Sequence, residues 1–131
     1  MAEFTMSATI EAPYDEAVER VRAALADVGF GVLTEIDLRA TLKAKLDVDV
    51  PPKVILGACR PQLAHEALGL DPRVAALLPC NVVVSAQDAG ASLVEVMDPN
   101  VMPEFTGTAE LSGVAADARD RLGRMLDGLA S

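Results

Sequence analysis

Aromatic residues are nearly missing from this chain, which has three Phe, one Tyr and no Trp in 131 residues. Without such rings there are no stacking platforms for single-stranded nucleic acid or sugars. Basic residues are also scarce, 11 Lys and Arg against 20 Asp and Glu, for a net charge of −9. A surface of that sign repels phosphate backbones and anionic headgroups, so neither nucleic acid nor membrane is expected as a partner. Long apolar runs are lacking as well, and the stretches at 74–79 and 82–84 fall far short of a bilayer span. The opening Met1-Ala2-Glu3-Phe4 has neither the basic start nor the apolar run of a secretion signal. A cytoplasmic location is therefore expected. Only two cysteines are present, Cys59 and Cys80, and in a reducing compartment they are not expected to form a structural disulfide. No Gly-rich phosphate loop and no hydrolase elbow occurs.

What is present is aliphatic. Half the residues are apolar, and a core of Val, Leu, Ile, Ala and Met in a chain of this length suits one domain, 1–131, without staples. Residues 4–10 read as a first strand. Pro13 then opens a helix whose early Asp15 and Glu16 suit the positive end of its dipole. Val18, Val21, Leu25 and Val28 give that helix one apolar face, and Gly29 stops it. Phe30, Val32, Thr34 and Ile36 alternate as a half-buried second strand, and Leu38, Leu42 and Leu46 mark a short helix. A third strand follows Pro51-Pro52 at 53–58. Pro61 starts a helix with Leu63, Ala64, Ala67 and Leu68 inward, closed by Gly69. Asp71-Pro72 caps a brief helix that Pro79 ends. Val82 to Val84 form a fourth strand, and Asp88-Ala89-Gly90 turns it into a fifth at 93–97. After an irregular stretch through Pro103 and Gly107, Leu111, Ala115, Ala118, Leu122, Met125 and Leu129 mark a long amphipathic C-terminal helix. The fold class is α+β, a small mostly antiparallel sheet of about five strands with helices on one face. The last helix is expected to pack on its own sheet, although so regular a seam also suits pairing with a second copy.

Chemistry centres on the cysteines. Cys59 ends the third strand just before Arg60 and the helix-starting Pro61, where a helix dipole and a guanidinium favour a thiolate. The bland alternative is a small apolar core residue. Cys80 begins the fourth strand after Pro79. Two helical pieces running out and back between them would bring both sulfurs to one rim of the sheet. The short loop of thioredoxin-like or zinc motifs is absent. His65, the only histidine, falls off the apolar face of its helix and is expected to be exposed. Glu35 and Asp37 project to one face of the second strand, as hard-cation ligands or as part of a solvated surface. Cys59, Cys80, His65, Glu35 and Asp37 are the weak metal candidates.

The segments Glu35-Ile36-Asp37, Lys45-Leu46, Ile55-Leu56-Gly57-Ala58-Cys59-Arg60-Pro61, Leu63-Ala64, Ala67-Leu68, Leu77-Leu78-Pro79-Cys80-Asn81-Val82 and Asp98-Pro99 resemble the domain-of-unknown-function 302 family. Its members carry a similar Gly-Ala-Cys-Asn-Pro block followed by Leu-Pro-Cys-Asn-Val, and the likeness covers nearly the whole chain. The resemblance implies a compact, dimeric α+β domain of bacterial or archaeal type, and brings neither an activity nor a cofactor. The chain departs from the pattern at Arg60, where Asn is usual, and at Asp47, where Gly is usual. Cys59, Pro61, Pro79 and Cys80 carry over.

The expected function is binding of a small ligand, thiol species or metal at a rim formed by Cys59, Arg60, Pro61, Pro79 and Cys80. One alternative is a thiol-disulfide redox enzyme in which Cys59 and Cys80 act as attacking and resolving thiols. The other is a homodimeric interaction module that uses the last helix or a sheet edge.

Overall fold

The computed structural model describes residues 3–130. Five strands, β1 (Thr5–Ile10), β2 (Gly31–Asp37), β3 (Lys53–Cys59), β4 (Cys80–Asp88) and β5 (Ala91–Met97), are accompanied by five helices. The helices are α1 (Tyr14–Asp27), α2 (Leu38–Leu46), α3 (Pro61–Leu70), α4 (Val101–Thr106) and α5 (Ser112–Ala130). The strands form one sheet in the order β1-β5-β4-β3-β2, and every neighbouring pair is antiparallel.

Strand alternation gives the sheet two different faces. On one face Val54, Leu56 and Ala58 of β3, Cys80, Val82 and Val84 of β4, and Val94 and Val96 of β5 are all buried. They pack with Ala17, Val21 and Leu25 of α1 and with Ala118, Leu122, Met125, Leu126 and Leu129 of α5. The apolar seam of α5 is thus used inside the monomer. Helix α1 ends as its sequence dictates, at Gly29 with φ +86°, a conformation only glycine adopts without strain. Ser92, fully buried in β5, donates its hydroxyl to the Ala12 carbonyl at 3.0 Å.

The opposite face carries Lys53 and Ile55 of β3, Asn81, Val83 and Ser85 of β4, and Glu95 and Met97 of β5. Among the described residues no helix lies flat across it. Leu38 and Leu42 of α2 overhang one end, where with Val50, Pro51 and Pro52 they wall a groove floored by Lys53 and Ser85. Helix α2 buries none of its own residues. It starts at Asp37, whose carboxylate caps the Ala40 N–H, and ends at Asp47 in the left-handed region with φ +55°. That geometry accounts for the glycine usual there, since an L-residue is disfavoured in that conformation.

The link from β3 to β4 is a cap on one end of the sheet. It comprises α3, a 3-10 helix at Pro72–Leu77 and a cis Leu78–Pro79 peptide. Asp71 caps the 3-10 helix through the Arg73 N–H, receives the Arg73 guanidinium in two bonds of 3.0 and 2.7 Å, and accepts the Thr108 hydroxyl at 2.7 Å. Arg73, and then Thr108, hold the Asp71 carboxyl well below its ordinary 3.8. A second apolar cluster, Ala67, Val74, Met102, Leu111, Val114 and Ala115, fills this cap.

Several expectations need correction. The stretch after Asp98-Pro99 is not irregular. It contains α4 and a 3-10 helix at Ala109–Leu111, made helical by burial of Val101 and Met102 despite an internal proline. Leu68 is exposed, leaving Leu63, Ala64 and Ala67 inward. Gly69 does not close α3, which runs through Leu70. β2 is an edge strand whose Leu33 and Ile36 are exposed, so only Phe30, just ahead of it, and Val32 are shielded.

Gly57 is the tightest point in the sheet. A Cβ there would sit 2.1 Å from Thr34 Oγ1 and 2.8 Å from Pro79 Cγ. Overpacking of this kind costs about 1–3 kcal/mol. Gly57→Ala is therefore expected to lower unfolding free energy by that amount in urea denaturation. Adding Thr34→Ala should restore part of the loss, because it removes the closer of the two clashes.

Candidate functional site

The fold brings the two cysteines together. In the β3–β4 register Ala58 faces Cys80, so Cys59 lies one residue beyond the pair. Both cysteines line one crevice beneath α3, together with Arg60, Phe30, Leu63 and Met102. Both are free thiols, Cys80 buried and Cys59 partly exposed. The crevice has a cavity volume of about 20 Å³, room for a single water. Its wall is almost wholly apolar apart from the two sulfurs and Arg60.

Burial pushes the Cys80 thiol up to about 11, with the charge of Cys59 adding to the effect. At neutral pH Cys80 is therefore a protonated, inert thiol. Arg60 holds the N-cap position of α3, but its side chain makes no capping bond. Its Nη1 packs against the α1–β2 turn, 2.4 Å from where a Cβ on Gly29 would lie. Arg121 reaches the same turn, donating to the Val28 carbonyl at 3.1 Å. The Arg60 Nε is buried and has no hydrogen-bond partner among the described residues. Pro61 supplies the first position of α3, and Pro79 covers Gly57. Both prolines shape the rim by packing.

The remaining candidates lie elsewhere. His65 is exposed on α3. Glu35 pairs with Arg22, and Asp37 caps α2. Among the described residues no group of three His, Cys, Asp or Glu converges on a point that would hold a metal ion. Phe30, Met102, Val114 and Ala118 also line the crevice, although nothing in the sequence marked them for this site. Leu63, Ala64 and Ala67 were visible as the inward face of their helix.

Two tests follow from this geometry. The Cys80 thiol titrates near 9.0 in the unfolded chain and at about 11 in the folded one. The folded state holds this proton longer, so its contribution is complete below pH 9 and is lost as pH rises toward 11. Urea denaturation from pH 8 to 11 should show a decline of roughly 2 kcal/mol in wild type relative to Cys80→Ala. Separately, Arg60→Asn should restore a helix cap and raise stability by about 1 kcal/mol, read as a higher urea midpoint at unchanged slope.

Three comparisons with known proteins bear on this chain. No functionally curated protein matches it. The fold is shared with the crystal structure of an uncharacterized conserved protein of the DUF302 family from Bacillus stearothermophilus. That protein is 31% identical, with a TM-score of 0.88 over 98% of this chain and 99% of the other. The profile of the family described as domain of unknown function DUF302 matches residues 6–129. With the two cysteine blocks packed as neighbours and nearly the full length matched, this chain belongs to the DUF302 family.

Proposed function

We propose that this chain is a small-ligand-binding domain whose site is the crevice beneath α3. The observation that carries the reading is the Arg60 Nε, buried without a partner in an apolar wall that also holds both thiols. An unsatisfied buried donor is costly, and a ligand acceptor would relieve that cost. Arg60 selects an anionic head, and the sulfurs suit a soft or thiol-bearing group beside it. The closed crevice has room for one water, so a larger ligand enters by displacing α3, which buries only Ala67 of its own residues.

Thiol–disulfide exchange is the second reading, favoured by the shared crevice. In that reaction the Cys59 thiolate attacks a substrate disulfide and releases one thiol. The Cys80 thiolate then attacks the Cys59 sulfur, closing an internal disulfide and releasing the second thiol. The Cys80 proton must leave first, and burial opposes that loss. Resolution at neutral pH would be slow, which places this reading behind simple binding.

Mercaptoacetate, a thiol with a carboxylate, is a suitable probe for calorimetric titration. Wild type and Arg60→Lys should bind it, and Arg60→Met should bind at least tenfold more weakly. The Cys59→Ala, Cys80→Ala double variant should also lose affinity while keeping its thermal midpoint within a few degrees. Equal binding by all four proteins, or none by wild type, would refute the proposal.

A further inference from the structure

The sheet face turned away from α1 and α5 carries a second, unrelated set of unpartnered groups. Ser85 is only 9% exposed, and its Oγ is buried without a hydrogen-bond partner among the described residues. Lys53 is its direct cross-strand partner and points to the same face. Lys53 has no ion pair among the described residues. The two residues share a groove of about 350 Å³ with Leu38, Leu42 and Pro52. A second groove of about 480 Å³ also includes Leu38 and Lys53, and runs on past Ile55, Val83 and Met97 to Phe4. Phe4 is 58% exposed at its far end.

Charge favours the same end. Helix α2 carries Arg39, Lys43 and Lys45 and no acid in nine residues, within a chain of net charge −9. Lys43 is paired with Asp47 and Asp49. Arg39 and Lys45 have no ion pair among the described residues. The one carboxylate on the groove, Glu95, lies opposite Val83 on β5, away from Lys53 on β3. An anion is thus favoured at the α2 end and an uncharged chain along the rest.

We propose that this face binds a free amphipathic monocarboxylate, with its head on Lys53 and Ser85 and its acyl tail along Ile55, Val83 and Met97. The head reaches the Ser85 hydroxyl by a small outward shift of α2, which buries none of its own residues. From Ser85 to Asn81 along β4 the floor is about 13 Å long at 3.3 Å per residue, the reach of a medium-chain tail. Each methylene laid against Ile55, Val83 or Met97 should tighten binding by up to about fourfold.

The test is calorimetric titration of the full chain with octanoate, decanoate and dodecanoate below their micelle concentrations, with dodecanol and dodecyltrimethylammonium as comparators. Affinity should rise with chain length, dodecanoate should bind tightest of the five, and the cationic amphiphile should bind weakest. Lys53→Met, a change at an exposed site, should weaken dodecanoate at least tenfold while leaving dodecanol unaffected. Ser85→Ala should weaken it several-fold. Failure of dodecanoate to bind, or binding indifferent to both substitutions, would overturn the proposal. Sedimentation showing a stable dimer that Val83→Asp breaks up and that takes up no dodecanoate would also overturn it, since a second copy would then own the face. Mercaptoacetate binding at the crevice is read separately, so failure of either site leaves the other standing.

Discussion

The β3–β4 register is the constraint on which the rest of the structure depends. Gly57 lies under Thr34 and Pro79 with no room for a methyl group, and Ala58 sits directly opposite Cys80. Close approach of these two blocks returns the long α3 excursion to the strand it left. A bulkier residue at Gly57 would push Pro79 away and spread the entry to β4. That spread would carry Cys80 out of the core and open the wall between the two apolar clusters. The similarity of the Gly-Ala-Cys and Leu-Pro-Cys blocks to the family pattern thus has a packing basis first. Any chemistry of the sulfurs is placed by that packing.

The buried polar groups of the fold are for the most part engaged. On the helix side Ser92 and Asp71 are fully engaged, one by a carbonyl and the other by Arg73 and Thr108. The exceptions are Arg60 Nε beside the crevice and Ser85 Oγ beneath α2. Buried polar groups without partners are uncommon in folded chains, and both of these border space. In each case the neighbouring helix is lightly buried, α3 with Ala67 as its one buried residue and α2 with none.

Most of the fold was legible because each element carries its own punctuation. Pro13 and Gly29 bracket α1, Pro61 starts α3, Asp71-Pro72 starts the 3-10 helix, and Asp88-Ala89-Gly90 turns the hairpin. The α5 seam is visible from spacing alone, whereas spacing suits its own sheet and a second copy equally, and only the packing of Ala118, Leu122 and Met125 on the sheet separates the two. Helix α4 escaped notice because Pro103 and Gly107 read as breakers, whereas Pro103 sits near the helix start and Gly107 serves as its left-handed end. The meeting of Cys59 and Cys80 was inferable from two helical pieces running out and back. The crevice lining was not, since Met102 comes from the helix hidden by Pro103 and Gly107, and Val114 lies on α5 beside the residues that mark its seam. Lys53 and Ser85 escaped attention because alternation assigns a face without saying whether the face is covered.

Division of the apolar interior has a further consequence. One cluster joins α1 and α5 to the sheet, the other fills the cap around α3 and α4, and Leu63 packs against both. Such an arrangement supports two tiers of opening, in which the cap loosens as a unit while the main body stays intact. Amide protons of α3 should then exchange through a subglobal event, distinct from complete unfolding. A cavity sized for one water would in that way become a gate whose width is set by a small, separable piece of the molecule.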